Sequence, residues 1–173
     1  MKILKSVKQG EVFSHWERVE KISIWNRQDI VLPLLAYNDL VWNITEIEDA
    51  DINKIFICSS DDWLQDGLCI PDFRLGTAIA NYKKSDFSSG KYADIKAKEN
   101  IFEKDLNELD TKLILVADNP EGPYTLIEGC KRSVALGNLG KLASIKVYLG
   151  VSSYIRTYVW ARYMYKYGIE KTV

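Results

Sequence analysis

One histidine, His15, stands in a chain of 173 residues, and that scarcity excludes more than any other count. A Ser-His-Asp triad would have to use it, and a metal site built from several histidines is excluded. Cysteine is scarce too. Cys58, Cys69 and Cys130 are odd in number and widely spaced, which matches neither a disulfide framework nor a paired zinc motif. An excess of one charge is also missing: 23 Lys and Arg against 24 Asp and Glu leave a formal net charge of −1. No general electrostatic grip on nucleic acid is therefore expected. No stretch approaches 18 consecutive apolar residues, so no membrane-spanning helix is expected. The opening Met1-Lys2-Ile3-Leu4-Lys5 leads into no apolar run of the secretory kind. These absences predict a reduced, cytoplasmic protein with no membrane partner.

What is present is a globular composition, 47% hydrophobic and 27% charged, with five Trp and ten Tyr. A single domain is expected at this length, burying roughly 70% of the surface its unfolded chain exposes. Residues 1–40 read as an aromatic-rich N-terminal extension. Pro33 within IVLPLL argues there against an uninterrupted helix or a central strand. Residues 40–47 (LVWNITEI) and 54–58 (KIFIC) read as strands, separated by an acidic turn at 46–51 whose ordinary role is a solvated loop. Ser59-Ser60-Asp61-Asp62 reads as a helix start. It also has the chance of bringing acidic groups to a strand end. A short helix is expected over 73–82 and a loop over 83–90 (KKSDFSSG).

The second half is more regular. Ile95, Ile101, Phe102, Leu106 and Leu109 recur at helical spacing and predict an amphipathic helix over 94–109. KLILVA (112–117) and YTLI (124–127) read as a hairpin across the turn DNPEGP. A helix over 130–139 ending at Gly140, a strand over 145–149 (IKVYL) and a C-terminal helix over 152–167 complete the pattern. The expected class is α+β, a mixed sheet with packed helices.

Chemistry concentrates at Glu128-Gly129-Cys130-Lys131-Arg132, where a buried strand passes through glycine straight into a helix. Such a junction leaves backbone N–H groups unsatisfied at the positive end of the helix dipole. Lys131 and Arg132 add two cations in the first turn, where they oppose the dipole. Local helix stability does not explain them, whereas a bound anion does. Arg suits bidentate phosphate contacts and Lys acts as a mobile point charge. The structural alternative is an ion pair of Arg132 with Glu128 or Glu121. Glu128 is a candidate Mg²⁺ ligand or an orienting group for Arg132.

This segment resembles the signature of the ParB/sulfiredoxin superfamily. Its members place a Gly-Glu-Arg-Arg or Gly-Cys-His-Arg box, or an acidic residue, Gly, two variable residues and Arg, at a strand-to-helix turn. Here Glu128 to Arg132, followed by Val134-Ala135-Leu136, has that general form, and the resemblance covers about residues 94–150. It implies a ParB/sulfiredoxin-like fold whose box cradles the phosphates of a nucleotide, CTP in ParB, ATP in sulfiredoxin and in a free-serine kinase. It further implies phosphate contacts from the backbone at Gly129 and Cys130, with Arg132 as a clamp and phosphoryl or nucleotidyl transfer or hydrolysis as the chemistry. The sequence departs from both named boxes, with Cys130 where ParB has Glu and Lys131 where sulfiredoxin has His. Cys130 matches the catalytic cysteine of sulfiredoxin. A helix start flanked by two cations should favour its thiolate, so Glu128, Cys130 and Arg132 are the candidate catalytic residues.

Weaker candidates remain. His15 is an acid or base near neutral pH, or more simply a packing residue. Cys58 and Cys69 read as structural. The basic and aromatic residues of 152–167, among them Tyr154, Arg156, Tyr158, Trp160 and Arg162, suit a protein partner or a stacked nucleic acid, with core packing plus an interface preferred. Two rival functions therefore stand beside nucleotide binding: a non-catalytic interaction module, and a Cys130-dependent redox enzyme.

Overall fold

The computed structural model describes residues 1–85, 90–106 and 112–168. Six strands form one mixed sheet: β1 (Lys2–Val7), β2 (Val41–Glu46), β3 (Ile55–Ile57), β4 (Ile114–Ala117), β5 (Tyr124–Glu128) and β6 (Lys146–Val151). Their order across the sheet is β1-β2-β6-β4-β5-β3. Strand β6 runs antiparallel to β2 and parallel to β4, β4 and β5 form the expected antiparallel hairpin, and β3 lies parallel to β5 at the edge. The α+β class with a mixed sheet and packed helices is as the sequence led one to expect. Every residue of β4 and β5 is buried. That explains why both read as continuous runs and not as alternating ones, since strands covered on two faces need apolar residues on each.

Eight α-helices are found among the described residues: α1 (Gln9–Glu20), α2 (Gln28–Leu35), α3 (Asp49–Ile52), α4 (Asp61–Gln65), α5 (Leu75–Lys83), α6 (Gly90–Lys104), α7 (Cys130–Asn138) and α8 (Arg162–Gly168). Helix α7 packs against both α5 and α6. The approach to α5 is close: a Cβ on Gly137 would lie 2.2 Å from Ile79 Cδ1. Buried Glu99 of α6 joins the three helices by accepting from Tyr82 of α5 (3.2 Å) and from Asn138 of α7.

Residues 1–40 are not an appended extension. β1 pairs with β2, and Val12, Trp16, Ile30, Val31 and Leu34 lie in the same core as β4 and β5. Pro33 sits inside α2, contrary to the expected break, because it falls in the last turn. Its missing N–H frees the carbonyl of Asp29, and the indole Nε1–H of Trp160 donates to that oxygen at 3.0 Å.

Three more expectations need correction. Helix α6 starts at Gly90 within the described residues and buries Lys91, Ile95, Glu99 and Phe102, whereas Ile101 is 48% exposed. Ile95 and Phe102 thus lie in the buried stripe as expected, Ile101 does not, and two polar residues take the other buried positions. Leu109, and residues 86–89 of the expected loop, lie outside the described residues. The C-terminal segment is not one helix. Two 3₁₀ turns, Ser153–Thr157 and Val159–Ala161, precede α8 and are separated by extended Tyr158. β-branched and aromatic residues are poor helix formers. Here the Tyr158 ring is buried while its hydroxyl donates to the Ile30 carbonyl (3.0 Å), which fixes the break.

Candidate functional site

The strand-to-helix junction predicted at Glu128–Cys130 is present, with Gly129 as N-cap of α7 at φ 89°. This left-handed backbone favours glycine. A Cβ there would lie 2.5 Å from Leu113 Cδ2 and 3.2 Å from Arg132 Nη2. The glycine therefore admits Leu113 and the guanidinium, and its conformational role comes before any ligand approach. No side chain caps the helix start, which leaves the first N–H groups of α7 open to another acceptor.

The junction lines a cavity of about 610 Å³. Glu128, Gly129, Cys130, Lys131 and Arg132 all line it, so the structure brings the five predicted residues together. Ser60 and Asp62 join them from the start of α4 after β3, as the sequence hinted; Ser60 is the N-cap by position, but its side chain caps no helix N–H and donates to Asp62 instead. The parallel pairing of β3 with β5 causes this: both strands end at the same edge of the sheet, one delivering α4 and the other α7. Glu20, Arg27, Trp63, Asp94, Lys98 and Cys58 also line it, none of them marked by the sequence as a site residue, and Trp160 of the C-terminal segment joins them. Only the strand assignment of KIFIC carried a signal for Cys58. The parallel register that aims it at α7 is not visible in one sequence.

Both cations of the box have internal partners. Arg132, 8% exposed, pairs with Glu128 at the end of β5 and donates to the Lys112 carbonyl at 3.4 Å. Lys131 pairs with Asp94 of α6, and both of these side chains are solvent-accessible. The structural ion pair weighed for Arg132 is thus formed, with Glu128 and not Glu121. Burial pushes the Glu128 carboxyl up to about 7; the adjacent Arg132 guanidinium works in the opposite direction, and a hydrogen bond with Glu20 adds to the rise. A carboxyl so placed does not fit Mg²⁺, which needs ionised oxygens free to coordinate. No group of three or more His, Cys, Asp or Glu side chains among the described residues is arranged to hold a metal.

The Cys130 thiolate is not favoured, contrary to expectation. The contact with Cys58 and burial both push the thiol well above its ordinary range, and Glu128 adds to this. The Sγ atoms of Cys58 and Cys130 are 3.8 Å apart, and Cys130 Sγ also lies 3.6 Å from the Leu126 carbonyl. Cys69 is fully buried, as a structural cysteine should be.

His15 is a packing residue in α1. It is 3% exposed, with Nε2 3.1 Å from the Lys112 carbonyl, Nδ1 3.0 Å from Arg18 and its ring against Tyr148. Over 152–167 Tyr158 is internal, whereas Tyr154, Arg156 and Arg162 stay exposed, Arg156 paired with Asp118 and Arg162 with Asp61. No described helix is long and apolar enough to cross a membrane. Comparison with protein-family models, with curated proteins and with solved structures finds no match for this chain.

Proposed function

We propose that the cavity at the start of α7 binds a nucleotide, ATP or CTP, or another small phosphate compound, within a ParB/sulfiredoxin-like fold. The observation that carries this reading is the uncapped, glycine-led start of α7 opening on a cavity that Arg27, Lys98 and Lys131 also line. Backbone N–H groups at a helix start and flexible cations are the two elements of a phosphate cradle. The Lys131–Asp94 pair is solvent-accessible, and pairs of that kind contribute only about 0–1 kcal/mol. A phosphate group therefore exchanges for Asp94 at little cost.

Arg132 takes a different role from the one the box suggests. Buried against Glu128, it holds the carboxyl at the cavity wall and adds positive potential behind the helix start. Glu128, titrating near neutrality, is the group suited to accept a proton from an attacking hydroxyl in phosphoryl or nucleotidyl transfer.

Calorimetric titration of ATP, CTP and pyrophosphate, with and without Mg²⁺, tests the reading. Saturable binding is expected, weakened roughly tenfold or more by Lys131→Ala, since a charge-assisted hydrogen bond carries at least the 1.4 kcal/mol that a factor of ten requires. Absence of binding at millimolar ligand, or equal affinity in Lys131→Ala, overturns it.

A further inference from the structure

We propose that Cys58 and Cys130 form a reversible dithiol–disulfide site at the cavity wall, oxidised by a small hydroperoxide. The two cysteines come from different elements and are 72 residues apart in sequence, yet their sulfurs lie 3.8 Å apart. Each is held by the same residue of β5. The Cys58 backbone N–H donates to the Leu126 carbonyl at 3.0 Å, and Cys130 Sγ lies 3.6 Å from that oxygen. A disulfide needs the sulfurs at roughly 2.05 Å. The sulfurs must therefore close by about 1.8 Å, with Cys58 just past the end of β3 and Cys130 the first residue of α7.

Access also favours this pair. Both cysteines line the 610 Å³ cavity, whereas Cys69 is fully buried and does not line it. Cys130 is half-buried and Cys58 is 9% exposed, so Cys130 meets the oxidant first. Its thiol, held protonated by Cys58 and burial, must first lose its proton, so the step is slow near neutral pH and faster in base. The sulfur then attacks one peroxide oxygen, the O–O bond breaks, and the departing oxygen leaves with a proton as water or alcohol. The resulting sulfenic acid is attacked by the Cys58 sulfur. The S–O bond breaks, and hydroxide leaves with the Cys58 proton as water. In total, two thiols and one hydroperoxide give one disulfide, one water and one further water or alcohol; the two sulfurs lose the two electrons that the O–O bond gains. A dithiol reductant reverses the step by exchange. This site is independent of the phosphate reading and stands whether or not a nucleotide binds.

The test is a thiol count on the intact folded protein after treatment with hydrogen peroxide, by alkylation under denaturing conditions and peptide mass mapping. Three alkylated cysteines before oxidation should fall to one, Cys69, with a Cys58–Cys130 peptide pair that dithiothreitol removes. Cys69→Ser should leave the pair intact, and Cys58→Ser and Cys130→Ser should each abolish it. The proposal is overturned if all three cysteines stay alkylatable, if Cys130 proceeds to sulfinic acid with Cys58 still free, or if the mapped bridge includes Cys69.

Discussion

Replacing Glu128 by Gln should remove a specific pH dependence from the stability of this protein. In the folded chain the carboxyl titrates near 7, while its ordinary value is 4.5. Between these values the folded state binds more protons than the unfolded one, so stability falls as pH rises through the window. The sign is opposite to that of an ordinary salt-bridged carboxylate, because at Glu128 burial outweighs the attraction of Arg132. From these two pKa values, the group contributes a loss of about 2.5 kcal/mol between pH 5 and pH 8. Gln keeps an oxygen for Arg132 but does not titrate. Urea denaturation of both proteins at pH 5, 6, 7 and 8 gives the difference curve. Other titrating groups largely cancel in it. The curve should move in favour of Gln as pH rises, and most of the change should lie between pH 5 and 7. A flat difference curve, or one moving the other way, refutes the argument that burial dominates at this carboxyl.

Gly129→Ala should destabilise by about 2–5 kcal/mol, combining left-handed strain with overpacking against Leu113, measurable as a lowered urea midpoint. Lys91→Met should cost about 1 kcal/mol, since the ammonium pairs with Asp62 (2.9 Å) and Asp66 (2.7 Å) and lies over the Trp63 ring, while both carboxylates left behind are open to water. The same variant should loosen α4, seen as faster amide exchange at residues 61–65. Oxidation of the Cys58–Cys130 pair should raise the melting temperature by roughly 10 °C, because closing a loop of this length removes about 4 kcal/mol of unfolded-state entropy. The Cys130→Ser protein should show no such rise.

The strands and the site were legible to different depths. ILVA, YTLIE and the helix beginning at Cys130 could be read because apolar runs and a Gly junction are local signals. The break at Tyr158 was not, because it depends on a hydrogen bond to Ile30, distant in sequence. Pro33 misled for a similar reason: whether a carbonyl freed by proline can be satisfied is settled by Trp160, far along the chain. At the site, the clustering of Glu128 to Arg132 was visible as contiguous residues. The proximity of Cys58, Glu20 and Arg27 arises from strand register and the placement of the first helices, which no single-sequence period encodes. Lys131 and Arg132 were rightly marked as unusual for a helix start. Their carboxylate partners, Asp94 and Glu128, show that part of the compensation is built into the chain itself.

The position of β6 has a consequence for how this molecule is made. It lies between β2 and β4, yet it follows both in the chain. Until residues 146–151 leave the ribosome, the sheet can form only as two separate halves, each with one open edge, β2 in one and β4 in the other. At roughly 5–20 residues per second, the stretch from Ala117 to Val151 keeps both edges open for about 2–7 s. The last strand to be synthesised closes the middle of the sheet. The nascent chain is therefore vulnerable to wrong pairing along β2 and β4, and any product cut short before Lys146 keeps both edges open.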